Sequence, residues 1–205
     1  MINGFERVGI YGGTFSPVHN GHVVAARAFL EQMKLDKVIV GPTFIPPHKE
    51  IDASDNPIHR LNMCSIAFSD DAQIEVSDIE IARGGCSYTI DTLRFFQAQN
   101  RKLFLLCGTD MMLAFDLWKN VEQIFEICCP VYMRRETDCE LDNIIIRKNN
   151  EYYQKYGAVF RRIVQDPIPI SSTDVRNMIK MEIDIHEYVP GGVADYIKDN
   201  NLYVS

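Results

Sequence analysis

The chain has 205 residues, enough for one domain or one domain with a small appendage. Hydrophobic residues make up 46% and charged residues 24%, the balance of an ordinary folded protein, which excludes disorder as the main description. The net charge of −7 argues against a general binder of nucleic acid or of membrane surfaces, and leaves room for a local basic pocket that takes a small phosphate ligand.

Residues 8–26 carry no formal charge and are long enough to cross a bilayer. They hold four glycines, Pro17, two histidines, Asn20, Ser16 and Thr14, so a membrane span is rejected. The start of the chain has Glu6 and Arg7 and no apolar core ahead of a cleavage site. No signal peptide is read there, and a cytoplasmic protein is expected. None of the six cysteines forms a C-x-x-C pair, so a zinc site has little support, and buried free thiols are expected.

The first strand is predicted over residues 7–11, running into Gly12 and Gly13. A helix follows Gly21, with Ala26, Phe29, Leu30 and Met33 at helical spacing. Residues 37–40 (KVIV) read as a second buried strand, which completes a βαβ unit. A proline-rich loop spans 41–56, and a helix is predicted over 58–69. Residues 73–81 alternate loosely, as one or two strands. Ser87 is expected to cap a helix over 88–98. Strands are predicted over 102–107, 127–133 and 159–164, with a polar helix over about 142–156 between the last two. Two helices, near 172–181 and 193–200, close the chain. The alternation predicts an α/β fold with an open parallel sheet and helices on both faces. Ligands of such sheets bind beyond the carboxyl ends of the strands. Residues 12–22, 108–110 and 170–176 all lie just after predicted strand ends, which motivates one shared site.

The segment GGTFSPVHNGH (12–22) pairs glycines, which let a backbone approach a ligand, with a helix start. His19 and His22 are three apart, so both rings share one face of that helix. Two imidazoles beside a helix N-terminus suit a polyphosphate; a metal pair or plain structural histidines are the competing readings. The segment is neither a Walker A loop nor a G-x-G-x-x-G fingerprint. In ISSTDVR (170–176), three hydroxyls at a helix start either cap the helix or form an anion site. Arg176 lies one turn on and can fork phosphate oxygens.

These two motifs together resemble the nucleotidyltransferase superfamily of the (T/H)-x-G-H type. Ile45-Pro46-Pro47-His48-Lys49, Ser87-Tyr88-Thr89, Gly108-Thr109-Asp110-Met111, Trp118-Lys119 and Arg134-Arg135 stand in the order of its bacterial nicotinate-mononucleotide adenylyltransferase branch. The resemblance covers nearly the whole chain. It implies a Rossmann-like sheet in a single nucleotidyltransferase domain over 1–205, with a small C-terminal helical part from about 165 to 205. It implies adenylyl transfer from ATP to nicotinate mononucleotide (NaMN), giving nicotinate adenine dinucleotide and pyrophosphate in NAD biosynthesis. Ser16 departs from the branch, which usually has Asp there.

By the same resemblance, His19 and His22 are catalytic and contact the ATP phosphates. Gly12, Gly13, Thr14 and Phe15 shape the loop between the two nucleotides. Gly108 and Asp110 hold a ribose. Ile170, Ser171, Ser172, Thr173 and Arg176 hold the departing phosphates. Thr14, Lys49, Tyr88, Thr89, Trp118, Lys119 and Arg134 meet NaMN, with Trp118 stacking on the pyridine. Mg²⁺ is carried by the ATP phosphates, with no protein metal site. The partners implied are ATP and NaMN, not nucleic acid or membrane. A homo-oligomer stays open, since no coiled coil or symmetric patch shows in the sequence. Transfer to another phosphate acceptor, such as nicotinamide mononucleotide or pantetheine phosphate, and a non-catalytic nucleotide sensor are the alternatives.

Overall fold

The computed structural model describes residues 5–47, 55–98, 100–134, 139–166 and 168–204. In chain order the elements are β1 (Glu6–Gly13), α1 (Asn20–Gln32), β2 (Lys37–Pro42), α2 (Pro57–Ala67), β3 (Ile74–Val76), α3 (Ile79–Arg83), α4 (Thr89–Phe96) and β4 (Arg101–Gly108). Then come α5 (Thr109–Leu113), a single 3₁₀ turn (Phe115–Leu117), α6 (Val121–Ile127), β5 (Cys128–Met133), α7 (Cys139–Tyr156), β6 (Arg161–Ile163), α8 (Ser172–Lys180) and α9 (Gly191–Asp199). The six strands form one sheet, in the order β3-β2-β1-β4-β5-β6. Every neighbouring pair is parallel. The chain runs outward from β1 to β3, then restarts on the other side of β1 with β4. The switch point between β1 and β4 is where such sheets open a crevice.

Both sheet faces are covered, and the strands show it residue by residue. On β4, Phe104 and Leu106 join one core with α1, α2, α8 and α9, while Leu103, Leu105 and Cys107 join the other with α4, α6 and α7. The first core also takes Val175, Ile185, Val189, Val193 and Ile197, so the C-terminal helices pack into the same apolar layer as the sheet. Helix α9 is tied to α2 by the Tyr196 hydroxyl, 2.9 Å from both His59 Nδ1 and Asn62 Nδ2. Arg7 donates to the carbonyls of Lys34 (2.8 Å) and Met33 (2.6 Å), and so caps the end of α1.

Two expectations change. Of the one or two strands expected over 73–81, one forms, the short β3, and Ile79–Arg83 is instead a helical turn that buries Glu80. Its loose alternation fits either period over so few residues. Ser87 does not cap α4. Tyr88 holds that position without a side-chain bond, and Ser87 Oγ accepts from the Phe44 amide at 2.8 Å. The turns between Thr109 and Ile127 lie in a stretch left unassigned by sequence. Among the described residues no helix is long and apolar enough to cross a membrane. Cys64, Cys107 and Cys128 are buried free thiols, and burial pushes their pKa values up, as for inert packing residues. Cys86 and Cys129 are free and half-buried, and the Cys139 side chain lies outside the described residues.

Helix α1 sits on β1 through one tight contact. A Cβ at Gly9 would lie 2.6 Å from both Phe29 Cε1 and Leu35 Cδ1. Phe29 is fully buried there. Phe29→Ala is therefore expected to lower the unfolding free energy by about 3–5 kcal/mol in a urea titration. A loss under about 1 kcal/mol would mean that α1 is held by something other than this contact.

Candidate active site

A cleft of about 440 Å³ opens at the switch point, beyond the carboxyl ends of β1 and β4. Its floor is the end of β1, Gly12 and Gly13, followed by Thr14 and Phe15. The Phe15 ring is buried, and its edge meets the Tyr11 ring at 5.4 Å. His19 stands at the N-cap of α1 and His22 at its third position. The two rings lie 3.7 Å apart, centroid to centroid, and 36° from parallel. His22 Nδ1 accepts from the His19 amide at 3.2 Å. In a neutral ring that places the proton on Nε2, which is then a donor. Gly21 makes the stack possible: a Cβ there would lie 2.9 Å from His19 Cε1. The first turn of α1 holds no acidic residue to compete with an anion.

Helix α8 points its N-terminus at the same cleft, where Ser171, Ser172 and Thr173 line it. Ser171 and Asp174 form a capping box, with Asp174 Oδ2 accepting from the Ser171 amide at 2.9 Å. Those bonds hold the Asp174 carboxyl below its ordinary pKa. Ser172 Oγ donates to the Pro17 carbonyl at 2.9 Å, which ties α8 to the loop after β1. Arg176 donates to the Ser16 carbonyl (2.6 Å) and to Thr173 Oγ1 (3.1 Å). It braces the loop rather than lining the cleft. Ile170 also stands behind the wall, its Cγ2 being 3.8 Å from a Cβ built on Gly21.

On the β4 side, Gly108 and Asp110 line the cleft. The Asp110 carboxylate folds back so closely that a Cβ on Gly108 would sit 2.7 Å from Oδ1. Thr109, buried, donates to the Met133 carbonyl at 3.3 Å and pins this corner to β5. The far wall is aromatic. Trp118 lies against Phe115 (4.5 Å), and Lys119 Nζ sits 3.9 Å from the centre of the Tyr88 ring. Thr89 lines the same wall at the start of α4.

Of the residues expected from sequence, the fold gathers Gly12, Gly13, Thr14, Phe15, His19, His22, Gly108, Asp110, Ser171, Ser172, Thr173, Tyr88, Thr89, Trp118 and Lys119 around one cleft. Arg134 is elsewhere: it is buried at the end of β5, ion-paired to Asp142 of α7, and does not line the cleft. Lys49 lies outside the described residues, as do His48 and Arg135.

Three groups that hold the cleft escaped the sequence reading. Arg60 is fully buried and donates to the carbonyls of Thr14 (2.9 Å), Thr43 (2.6 Å) and Phe44 (3.1 Å). Asp55 pairs with it, Oδ1 to Nε at 3.1 Å. Glu80 lies under the wall of Thr43, Ser87 and Thr92, where Thr92 donates to Oε1 at 2.6 Å. Burial pushes its carboxyl pKa up. In sequence, Arg60 shows only as one charge on an amphipathic helix. Its burial depends on three carbonyls that the fold alone brings together.

The cytidylyltransferase-like family model matches residues 10–178. A Borreliella burgdorferi protein named "Probable nicotinate-nucleotide adenylyltransferase" is 35% identical over 202 residues, covering 97% of each chain. A Clostridium botulinum protein of the same name is 36% identical over 197 residues, 95% of this chain and 97% of the relative. The solved nicotinic acid mononucleotide adenylyltransferase of Plasmodium falciparum, complexed with NaAD, superposes with a TM-score of 0.75 over 97% of both chains. At 21% identity that likeness shows the fold. Sequence match, parallel topology and cleft agree: the chain belongs to the cytidylyltransferase-like nucleotidyltransferases, in the nicotinate-nucleotide adenylyltransferase family.

Proposed function

We propose that this cleft joins ATP to NaMN, giving nicotinate adenine dinucleotide and pyrophosphate. The observation that carries the reading is the convergence of two helix N-termini and a histidine pair. Ser171–Thr173 of α8 and His19 and His22 of α1 line one cleft at the switch point. Backbone amides, hydroxyls and imidazoles there suit a chain of phosphates. The ribose hydroxyls of a nucleotide would meet Asp110 at Gly108, and the pyridine would lie against Trp118.

The chemistry follows from placement. An oxygen of the NaMN phosphate attacks the α-phosphorus of ATP, the bond to the bridging β-oxygen breaks, and pyrophosphate leaves. No protein nucleophile takes part. The chain contributes alignment and neutralisation of charge on the transferring group. His22, with its proton on Nε2, and His19 would donate to the α-phosphate oxygens as charge builds there. The amides and hydroxyls of α8 would hold the leaving pyrophosphate. Arg176 supports that seat by fixing the Ser16 carbonyl and Thr173.

The family implies a magnesium ion with the nucleotide. The Asp110 carboxylate and the hydroxyls of Thr14, Ser172 and Thr173 offer the oxygen donors that a hard cation takes. Among the described residues no three His, Cys, Asp or Glu side chains gather around one point. That donor set fits an ion brought by the phosphates. Such an ion would offset phosphate charge and ease the departure of pyrophosphate.

The first test is pyrophosphate release with ATP and Mg²⁺ against either NaMN or its amide. NaMN is expected to be strongly preferred, because the acceptor wall carries the Lys119 ammonium and the free amides at the start of α4. Equal use of both would discard the carboxylate recognition and keep the reaction. Silence with both would contradict the proposal. Separately, His22→Ala should cut turnover by roughly 10²–10³-fold while the melting temperature stays close to that of the parent. Near-normal turnover in that variant would remove the histidines from the transition state.

A further inference from the structure

Behind the floor of the cleft, side chains from distant parts of the chain meet. Ser16 Oγ donates to Asp55 Oδ2 at 2.5 Å, across 39 positions of sequence. The Ser16 and Tyr203 hydroxyls lie 3.3 Å apart. The other Asp55 oxygen takes Arg60 Nε at 3.1 Å, and the Ser16 carbonyl takes Arg176 Nη1 at 2.6 Å. The Asp55 side chain is 9% exposed and that of Arg60 0%. A carboxyl group buried so far needs partners on its oxygens, and here each oxygen has one.

Asp55 thereby clamps the loop from the rear. Its hydrogen bond and its ion pair fix the hydroxyl of Ser16 and the guanidinium that holds the Thr14 carbonyl. Next along the loop, Pro17 is held by Ser172 of α8. Every residue from Thr14 to Pro17 is thus tied, directly or through a neighbour, to this carboxylate or to α8. Burial pushes the Tyr203 phenol pKa up.

We propose that Asp55 is a positioning residue for the transfer. Its carboxylate, lent from the segment before α2, sets residues 14–17 and with them the seat of the ATP phosphates. The inference rests on the reaction proposed above. Because Ser16 Oγ is within 2.5 Å of that carboxylate, an acid at position 16 would fall in almost the same place.

That proximity supplies the test. Asp55→Asn, Ser16→Asp and the exchange Ser16→Asp/Asp55→Asn are compared with the parent, below the melting temperature of each. Asp55→Asn is expected to lower kcat by about tenfold to hundredfold and to raise KM for ATP several-fold, with KM for NaMN nearly unchanged. A purely structural role would reduce the amount of folded enzyme and leave both KM values alone. The exchange is expected to return kcat to within about threefold of the parent, a coupling that independent sites do not show. Ser16→Asp alone, with two carboxylates in one place, is expected to be worse than the exchange.

Parent-like kinetics in Asp55→Asn, or an exchange that restores nothing, overturns the proposal. If Asp55→Asn does not fold, the exchange decides: folded and active supports it, unfolded or inactive overturns it. A parent protein inert with NaMN would contradict the proposed reaction instead. ATP affinity by equilibrium dialysis then decides. Weaker binding in Asp55→Asn that recovers in the exchange supports the clamp, and equal binding overturns it.

Discussion

The guanidinium of Arg60 is the constraint on which the rest of the cleft depends. It sits fully buried in α2 and binds three carbonyls from two loops. Thr14 belongs to the turn after β1, the proposed seat of the phosphates. Thr43 and Phe44 belong to the segment after β2, which forms the opposite wall with Ser87. One rigid fork therefore sets the spacing of the two walls, and a lysine could not satisfy the same acceptors. Removing it would leave three carbonyls and one oxygen of Asp55 without their partner in the interior, a loss on the order of 3–5 kcal/mol. Transfer between two bound nucleotides depends on the distance between them, so the function inherits this spacing.

The proposed phosphate seat is built without a cluster of lysines or arginines. Two helix N-termini, two imidazoles and a run of hydroxyls do that work, in a protein whose net charge is −7. The overall acidity and the proposed local seat for phosphate are compatible because helix dipoles and oriented amides act over a few ångströms. The small residues have the same purpose. Gly21 lets the His19 ring lie flat beside His22, and Gly108 lets Asp110 turn inward.

Much of this was legible in the sequence. The strands β1, β2, β4 and β5 are short apolar runs, the first three ending at glycine or Gly-Pro and the last at a pair of arginines, and the parallel sheet followed from their alternation with helices. The segments 12–22 and 170–176 pointed to one shared site through glycine, histidine and hydroxyl chemistry at helix starts, and the fold brings residues of both to one cleft. What stayed hidden was of two kinds. Short turns, such as Ile79–Arg83 and those between Thr109 and Ile127, are too brief for a period to declare itself. Buried charges read as surface charges until the fold shows their partners. Arg60 and Asp55 carry no motif in the sequence, and the partner that Arg134 finds in Asp142 of α7 shows only in the fold. Ser16 read only as a departure from the branch, because its carboxylate partner lies 39 residues away.

The central claim is that the triphosphate spans the two helix N-termini, with the acceptor on the aromatic wall. A crystal structure with NaMN, Mg²⁺ and an ATP analogue that cannot be cleaved between its α- and β-phosphorus tests it most directly. The account predicts the α-phosphate against His19 and His22, the β- and γ-phosphates on the amides and hydroxyls of residues 171–173, and the pyridine ring against Trp118. A triphosphate lying away from both helix N-termini would contradict it.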